Sequence, residues 1–238
     1  VENPEGTLNM KIHNVFIAAL GSDIQYYSAL VRSLDSSLGN MLEKLAINIA
    51  MFSYEVKREV QGPLGPEQTS KIADLLEKYK RRELTPPSID DYQPLRVKPT
   101  DDRLSAKRHD SDYCLIDKET GENFLIELKI GGDLDNKKAR SEKEALLEQF
   151  AILSNTLPED QKIKIFFATA YNRYGEDKPW RQERVRQFFA DEELLIGRDF
   201  WNFVCKSDDG YKTVLDAYKE NAHLITSALD SIKETYLD

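Results

Sequence analysis

Two cysteines in 238 residues, Cys114 and Cys205, cannot build a disulfide framework and have no zinc-ligand spacing, so both read as core thiols of a reducing compartment. No apolar run approaches the length of a membrane span, and Val1-Glu2-Asn3-Pro4 carries no signal-peptide pattern. A cytoplasmic protein without a membrane partner is expected. His13 and His223 belong to no motif, and His109 reads as a side chain of a charged loop. Positive charge is also in short supply, with 33 Lys and Arg against 42 Asp and Glu and a net charge of -9. That balance excludes a uniformly basic nucleic-acid binder and leaves room only for a local patch that meets phosphate.

What the chain does have is concentrated between Asp112 and Lys129. The runs 112–118 and 122–129 are rich in Tyr, Leu, Ile and Phe, and the polar Glu119-Thr-Gly-Glu122 between them reads as a tight turn, so the runs should pair antiparallel. Asp112 opens one strand while Glu127 and Lys129 close the other. Residues two apart on a strand share a face, so Glu127 and Lys129 project together beside Asp112, with Leu128 turned into the core between them. Two carboxylates and an ammonium in one place suit Mg²⁺, which prefers oxygen ligands. Asp110 is a reserve for Asp112, whereas Asp117 falls late in the strand and far from Glu127.

This spacing resembles the PD-(D/E)XK nuclease superfamily, whose signature is an acid at the start of one strand and acid-x-lysine on the next. Ser111 stands where the proline of that name would be. The segment Ser37-Leu-Gly-Asn-Met-Leu-Glu43-Lys-Leu-Ala-Ile-Asn-Ile-Ala50 resembles the helix before the catalytic hairpin in restriction endonucleases, which implies that Glu43 reaches the metal. Phe167-Ala-Thr-Ala-Tyr-Asn-Arg-Tyr-Gly-Glu-Asp-Lys-Pro-Trp180 and Leu195-Ile-Gly-Arg-Asp-Phe-Trp201 are similar to the C-terminal half of type II restriction endonucleases of the TdeIII type. The resemblance covers most of residues 30–235. It implies an α/β restriction-endonuclease-like core, a mixed sheet with a catalytic β-hairpin flanked by helices, behind a helical N-terminal part.

The remaining pattern predicts helices over 22–34, 37–59 and 67–82, a proline-rich connector over 83–100, a helix over 137–156, a buried strand over 162–170, and helices over 178–190 and 211–236. The β-β-α-β order matches the PD-(D/E)XK core, and that resemblance implies that the third strand and the strand after the helix run parallel. A single domain over 1–238 is expected, mainly helical over 1–100, with a catalytic core over 101–205 and a C-terminal helix over 206–238.

Charge is unevenly spread. Residues 161–190 carry an excess of four positive charges and residues 191–238 an excess of six negative ones, so DNA is expected against the former. Candidate DNA contacts are Lys107 and Arg108 before the catalytic strand, then Asn172, Arg173, Lys178, Arg181 and Arg184 at and beyond the end of the strand 162–170, where a parallel sheet presents binding groups. Arg can read guanine and Asn adenine, although turn formation also explains Asn172. Glycines just after Lys129 would let a DNA backbone come close. Trp180 and Trp201 read as core or interface anchors.

The expected activity is Mg²⁺-dependent, sequence-specific hydrolysis of both strands of double-stranded DNA, leaving 5′-phosphates. Asp112 and Glu127 would hold the metal, and Lys129 would orient or deprotonate the water. A homodimer would match a palindromic site, such as the GGNCC or GGWCC sites implied by the subgroup, and a companion DNA methyltransferase would act on that site without stable binding. The competing expectations are a structure-specific repair or recombination nuclease of the same superfamily, and a non-catalytic DNA-binding module.

Overall fold

The computed structural model describes residues 15–96, 104–131 and 134–237, with backbone only at 18, 110–112 and 232–237. Helix α1 (Ser22–Ser53) leads directly into strand β1 (Tyr54–Leu64), followed by α2 (Pro66–Lys80) and a 3-10 segment at Ile89–Arg96. Strands β2 (Ser105–Asp117) and β3 (Asn123–Lys129) form the expected hairpin. Helix α3 (Asn136–Thr156), β4 (Ile163–Thr169), β5 (Leu194–Ile196), α4 (Arg198–Cys205) and α5 (Gly210–Leu237) complete the chain. Among the described residues, no helix is long and apolar enough to cross a membrane.

The five strands lie in sequence order. β1, β2 and β3 are antiparallel neighbours, whereas β3, β4 and β5 are parallel. Strand alternation sorts the core to two faces. Cys114, Leu125, Ile165 and Phe167 join residues of α2 and α3, including Leu76, Leu147 and Phe150, in the larger apolar cluster. Phe124 and Phe166 point the other way, onto Phe203 of α4 at ring distances of 5.0 and 5.4 Å. Cys114 is buried, and burial pushes its thiol up to about 11, so it packs as a small apolar group rather than a nucleophile. Trp180 and Trp201 are both buried, and the Trp201 indole donates to the Ala170 carbonyl at 2.8 Å.

Predicted elements change in three places. The helices expected over 22–34 and 37–59 are one continuous helix that ends at Ser53, and the last part of the second is β1. Val56, Val60 and Leu64 are spaced by four, which satisfies a helix and a strand alike, and pairing with β2 decides it. Gly62 permits that decision, because a Cβ there would stand 2.8 Å from Ile152 and 2.9 Å from Thr156 of α3. β2 begins at Ser105, so Lys107, Arg108 and His109 are strand residues opposite Gly62, Gln61 and Val60 rather than a loop. The helix expected over 178–190 is only one turn, Glu183–Arg186, because Val185, Phe188 and Phe189 are drawn into the core and the chain before them is tied as a loop.

At the hairpin turn, Asp117 Oδ1 accepts from the amides of Glu119 and Thr120 at 2.8 and 3.0 Å, and Oδ2 lies 2.8 Å from Lys206. Burial alone would raise this carboxyl, but Lys206 and the two amides more than offset it, leaving it below the usual range. The folded value therefore lies below the unfolded one of about 3.9, so the stabilisation is complete above that pH and is lost as pH falls through the folded value. Asp117→Ala is expected to cost about 1–3 kcal/mol at neutral pH. Urea unfolding at pH 7 and pH 3 checks this, since the gap between wild type and variant should narrow in acid.

Next to the hairpin, Lys143 of α3 and Glu193 form a buried ion pair at 2.6 Å. The ammonium lies 4.7 and 4.8 Å from the rings of Tyr92 and Phe189, and the second Glu193 oxygen accepts from the Ala190 amide at 2.7 Å. Burial pulls the Lys143 ammonium down and Glu193 opposes that pull.

The described chain separates into two compact units. Residues up to Leu45 and from Lys212 onward form a helical unit, and Ala46–Tyr211 form the sheet unit.

Candidate active site

The β2–β3 register puts Tyr113 opposite Ile126, so Asp112 and Glu127 are the next residues outward on adjacent strands. On its other side, β2 pairs irregularly with β1. Lys57 faces Cys114 and Glu59 faces Asp110, so two steps of β1 span four of β2. The extra residues make a bulge at 111–113, a device that re-aims side chains beside active sites. The side chains of Asp110 and Asp112 lie outside the described residues, so their choice as ligands rests on this backbone placement.

Glu127 and Lys129 share the α3 face of β3 with Leu125, whereas Leu128 is buried on the opposite side. The Lys129 ammonium bonds the Glu127 carboxylate and also lies 3.0 Å from Glu142 of α3. Burial draws the Lys129 pKa down, but Glu127 and Glu142 outweigh it and hold the group well above the ordinary lysine range. Lys129 is thus a fixed cation flanked by two carboxylates.

Glu142 was not singled out from the sequence. Its signal is there in retrospect, because 142, 146, 149 and 153 form one helical stripe with Leu146 and Leu153, and a carboxylate on a packed stripe requires a partner. One turn and a half further on, Glu148 lies 2.8 Å from His109 Nε2 and 3.7 Å from the Lys107 ammonium. Arg108 pairs with Glu59 at 2.6 Å. Glu43 stands on α1 in the helical unit.

β3 and β4 end together, with Lys129 opposite Thr169 and the Ala170 amide bonded to the Ile130 carbonyl. The loop after β4 therefore leaves the sheet at the end that carries Lys129. In it, Asn172 is buried, its carboxamide donating to the Lys178 carbonyl at 2.7 Å and accepting from the Tyr174 amide at 3.0 Å. Asn172 is committed to shaping the loop and presents no free edge to a base. Glu176 ties the loop further, accepting from the amides of Asn172 and Arg198. Arg173, Lys178, Arg181 and Arg184 are exposed. The space beside Gly131 is taken by Tyr171, whose hydroxyl lies 2.7 Å from where a Cβ would be, so this glycine serves packing within the protein; Gly132 lies outside the described residues.

Chemically, the end of the hairpin offers hard oxygen donors at Glu127 and Glu142 converging on one cation, beside the backbone position of Asp112. That donor set fits a hard divalent cation. Among the described residues, no three acidic, histidine or cysteine side chains form a ready-made cage.

The chain matches the family model described as type II restriction endonuclease, HinfI, over residues 2–222. No curated protein and no solved structure matches it. The TdeIII-type subgroup and the GGNCC and GGWCC sites gain no support from this match. The matched span takes in the helical N-terminal part, the hairpin, α3 and the loop after β4, and the chain belongs to the HinfI family of type II restriction endonucleases, site-specific nucleases that act on DNA.

Proposed function

We propose that this nuclease hydrolyses both strands of a short DNA sequence with Mg²⁺ held by Asp112 and Glu127, assisted by Glu142, leaving 5′-phosphate and 3′-hydroxyl ends. The observation that carries the reading is the convergence of Glu127 and Glu142 on Lys129 at the end of the hairpin. When bound, Mg²⁺ supplies Lewis acidity that lowers the pKa of a coordinated water and neutralises charge on the scissile phosphate. Lys129, held as an ammonium, orients the attacking water and stabilises the negative charge that develops on the phosphoryl oxygens. Glu142 keeps Lys129 from swinging away. A two-fold homodimer would cut both strands of a palindrome, and a companion methyltransferase would protect the same sequence in the host genome.

Incubating plasmid with the protein and Mg²⁺ and sequencing the ends tests this reading. A reproducible fragment ladder with 5′-phosphates, absent with EDTA, is expected. A smear of products without a sequence pattern would instead favour a structure-specific nuclease, and no cutting in any divalent metal would leave a DNA-binding module. Calcium is expected to support binding without turnover, since it takes the same oxygens with looser geometry.

The phosphate contacts are assigned to the exposed Lys178, Arg181 and Arg184, and base contact to Arg173. Lys107 and Arg108 join them only by exchanging Glu148 and Glu59 for phosphate. Each of Arg181→Ala and Arg184→Ala should weaken binding to every sequence and reduce the salt slope by about 1, whereas Arg173→Ala should relax sequence choice. Fluorescence anisotropy across a salt series measures both effects, and unchanged slopes would move the DNA to another face.

A further inference from the structure

α1 presents an apolar seam that the nuclease reading does not use. Ile24, Tyr27, Val31, Leu34, Leu38 and Met41 recur at alternating intervals of three and four, the spacing of a coiled-coil seam. Tyr26 and Ala29, on a different side of the helix, are buried, whereas Ile24, Tyr27 and Val31 are 48, 48 and 57% exposed. Towards the end of the seam, Leu34, Leu38 and Met41 face Tyr218, Ile225 and Leu229 of α5 across an open apolar groove of about 380 Å³. A helix that keeps a continuous apolar stripe in water is an interaction surface.

We infer that this seam is the docking surface for a second copy of the chain, with the two α1 helices antiparallel about a two-fold axis. The sequence is self-complementary in that arrangement. Centring the axis between residues 32 and 33 puts Ile24 against the partner copy's residue 41, Tyr27 against its residue 38 and Val31 against its residue 34, so every layer is apolar. Tyr27 and Ile24 of each copy then lie over the other's groove. The same register brings Asp23 beside position 44 of the other helix, which is a lysine, giving two symmetric opposite-charge pairs at the flanks. Both Asp23 and Lys44 are exposed.

Area agrees. Ile24, Tyr27, Val31, Met41 and Leu224 expose on the order of 500 Å² of side chain, more than half of the ~800 Å² that each partner gives to a stable interface. The surface is argued from the helical unit alone and stands whether or not the hairpin cuts DNA.

Sedimentation equilibrium of the full chain, without DNA or metal, tests the inference. A dimer is expected for the wild type, and Val31→Glu should raise the dimer dissociation constant at least about 30-fold with unchanged far-UV circular dichroism. Should Val31→Glu disturb folding, the exposed charges decide. Asp23→Lys or Lys44→Asp alone should weaken the dimer about threefold to tenfold, and the two together should restore it. A monomeric wild type, or a folded Val31→Glu that dimerises as the wild type does, would overturn the surface. Failure of the double exchange to restore the dimer would overturn the antiparallel register.

Discussion

Alanine at Glu127 should lower single-turnover cleavage by at least about 10³-fold and leave the fold intact. Glu127 lies at the end of β3 with its carboxylate on Lys129, so removing it takes away a proposed metal oxygen without emptying a packed core position. Asp112→Ala should do the same, because its backbone stands next to Tyr113 in register with the outer end of β3. Glu142→Gln, which keeps the size and loses the charge, should cost less, about 10- to 100-fold, as expected of a group that positions another. Quenched-flow cleavage of a plasmid at saturating protein, with thermal unfolding as a control, separates these outcomes. Near-wild-type rates in Glu127→Ala or Asp112→Ala would displace the active site from the hairpin.

Lys129→Ala is expected to reduce the single-turnover rate by about 10³-fold while changing DNA affinity less than about threefold. The difference follows from where the ammonium is. It is held between Glu127 and Glu142, so it would meet the proposed reacting centre already partly neutralised and contribute little net positive charge to hold DNA from a distance. A variant that lost affinity in proportion to rate would recast Lys129 as a phosphate anchor.

Much of the hairpin could be read from the sequence because its signals are local. The apolar runs over 112–118 and 122–129 and the polar turn between them specify two strands, and Ile163, Ile165 and Phe167 mark the parallel strand beside them. β1 was hidden because its apolar residues repeat at four, where both periods coincide, and its identity depends on β2, which lies about fifty residues downstream. The unread strand also concealed the early start of β2 and made Lys107 to His109 look like a loop. Glu142 was obscured for a related reason: its relation to Lys129 depends on how α3 lies over β3. Asn172 shows the reverse error, since a residue type that suits base reading is equally suited to closing a loop, and its three hydrogen bonds show the second use.

Lys143 and Glu193 have an effect on the other side of α3. Consecutive helix residues point about 100° apart around the axis, so Glu142 and Lys143 are two spokes of one wheel, one aimed at the hairpin and the other at the buried Glu193. Turning the helix by a single spoke would pull a buried ammonium from its carboxylate, a loss on the order of 3–5 kcal/mol. The azimuth of α3, and with it the reach of Glu142 towards Lys129, is locked by a bond that never meets solvent or substrate.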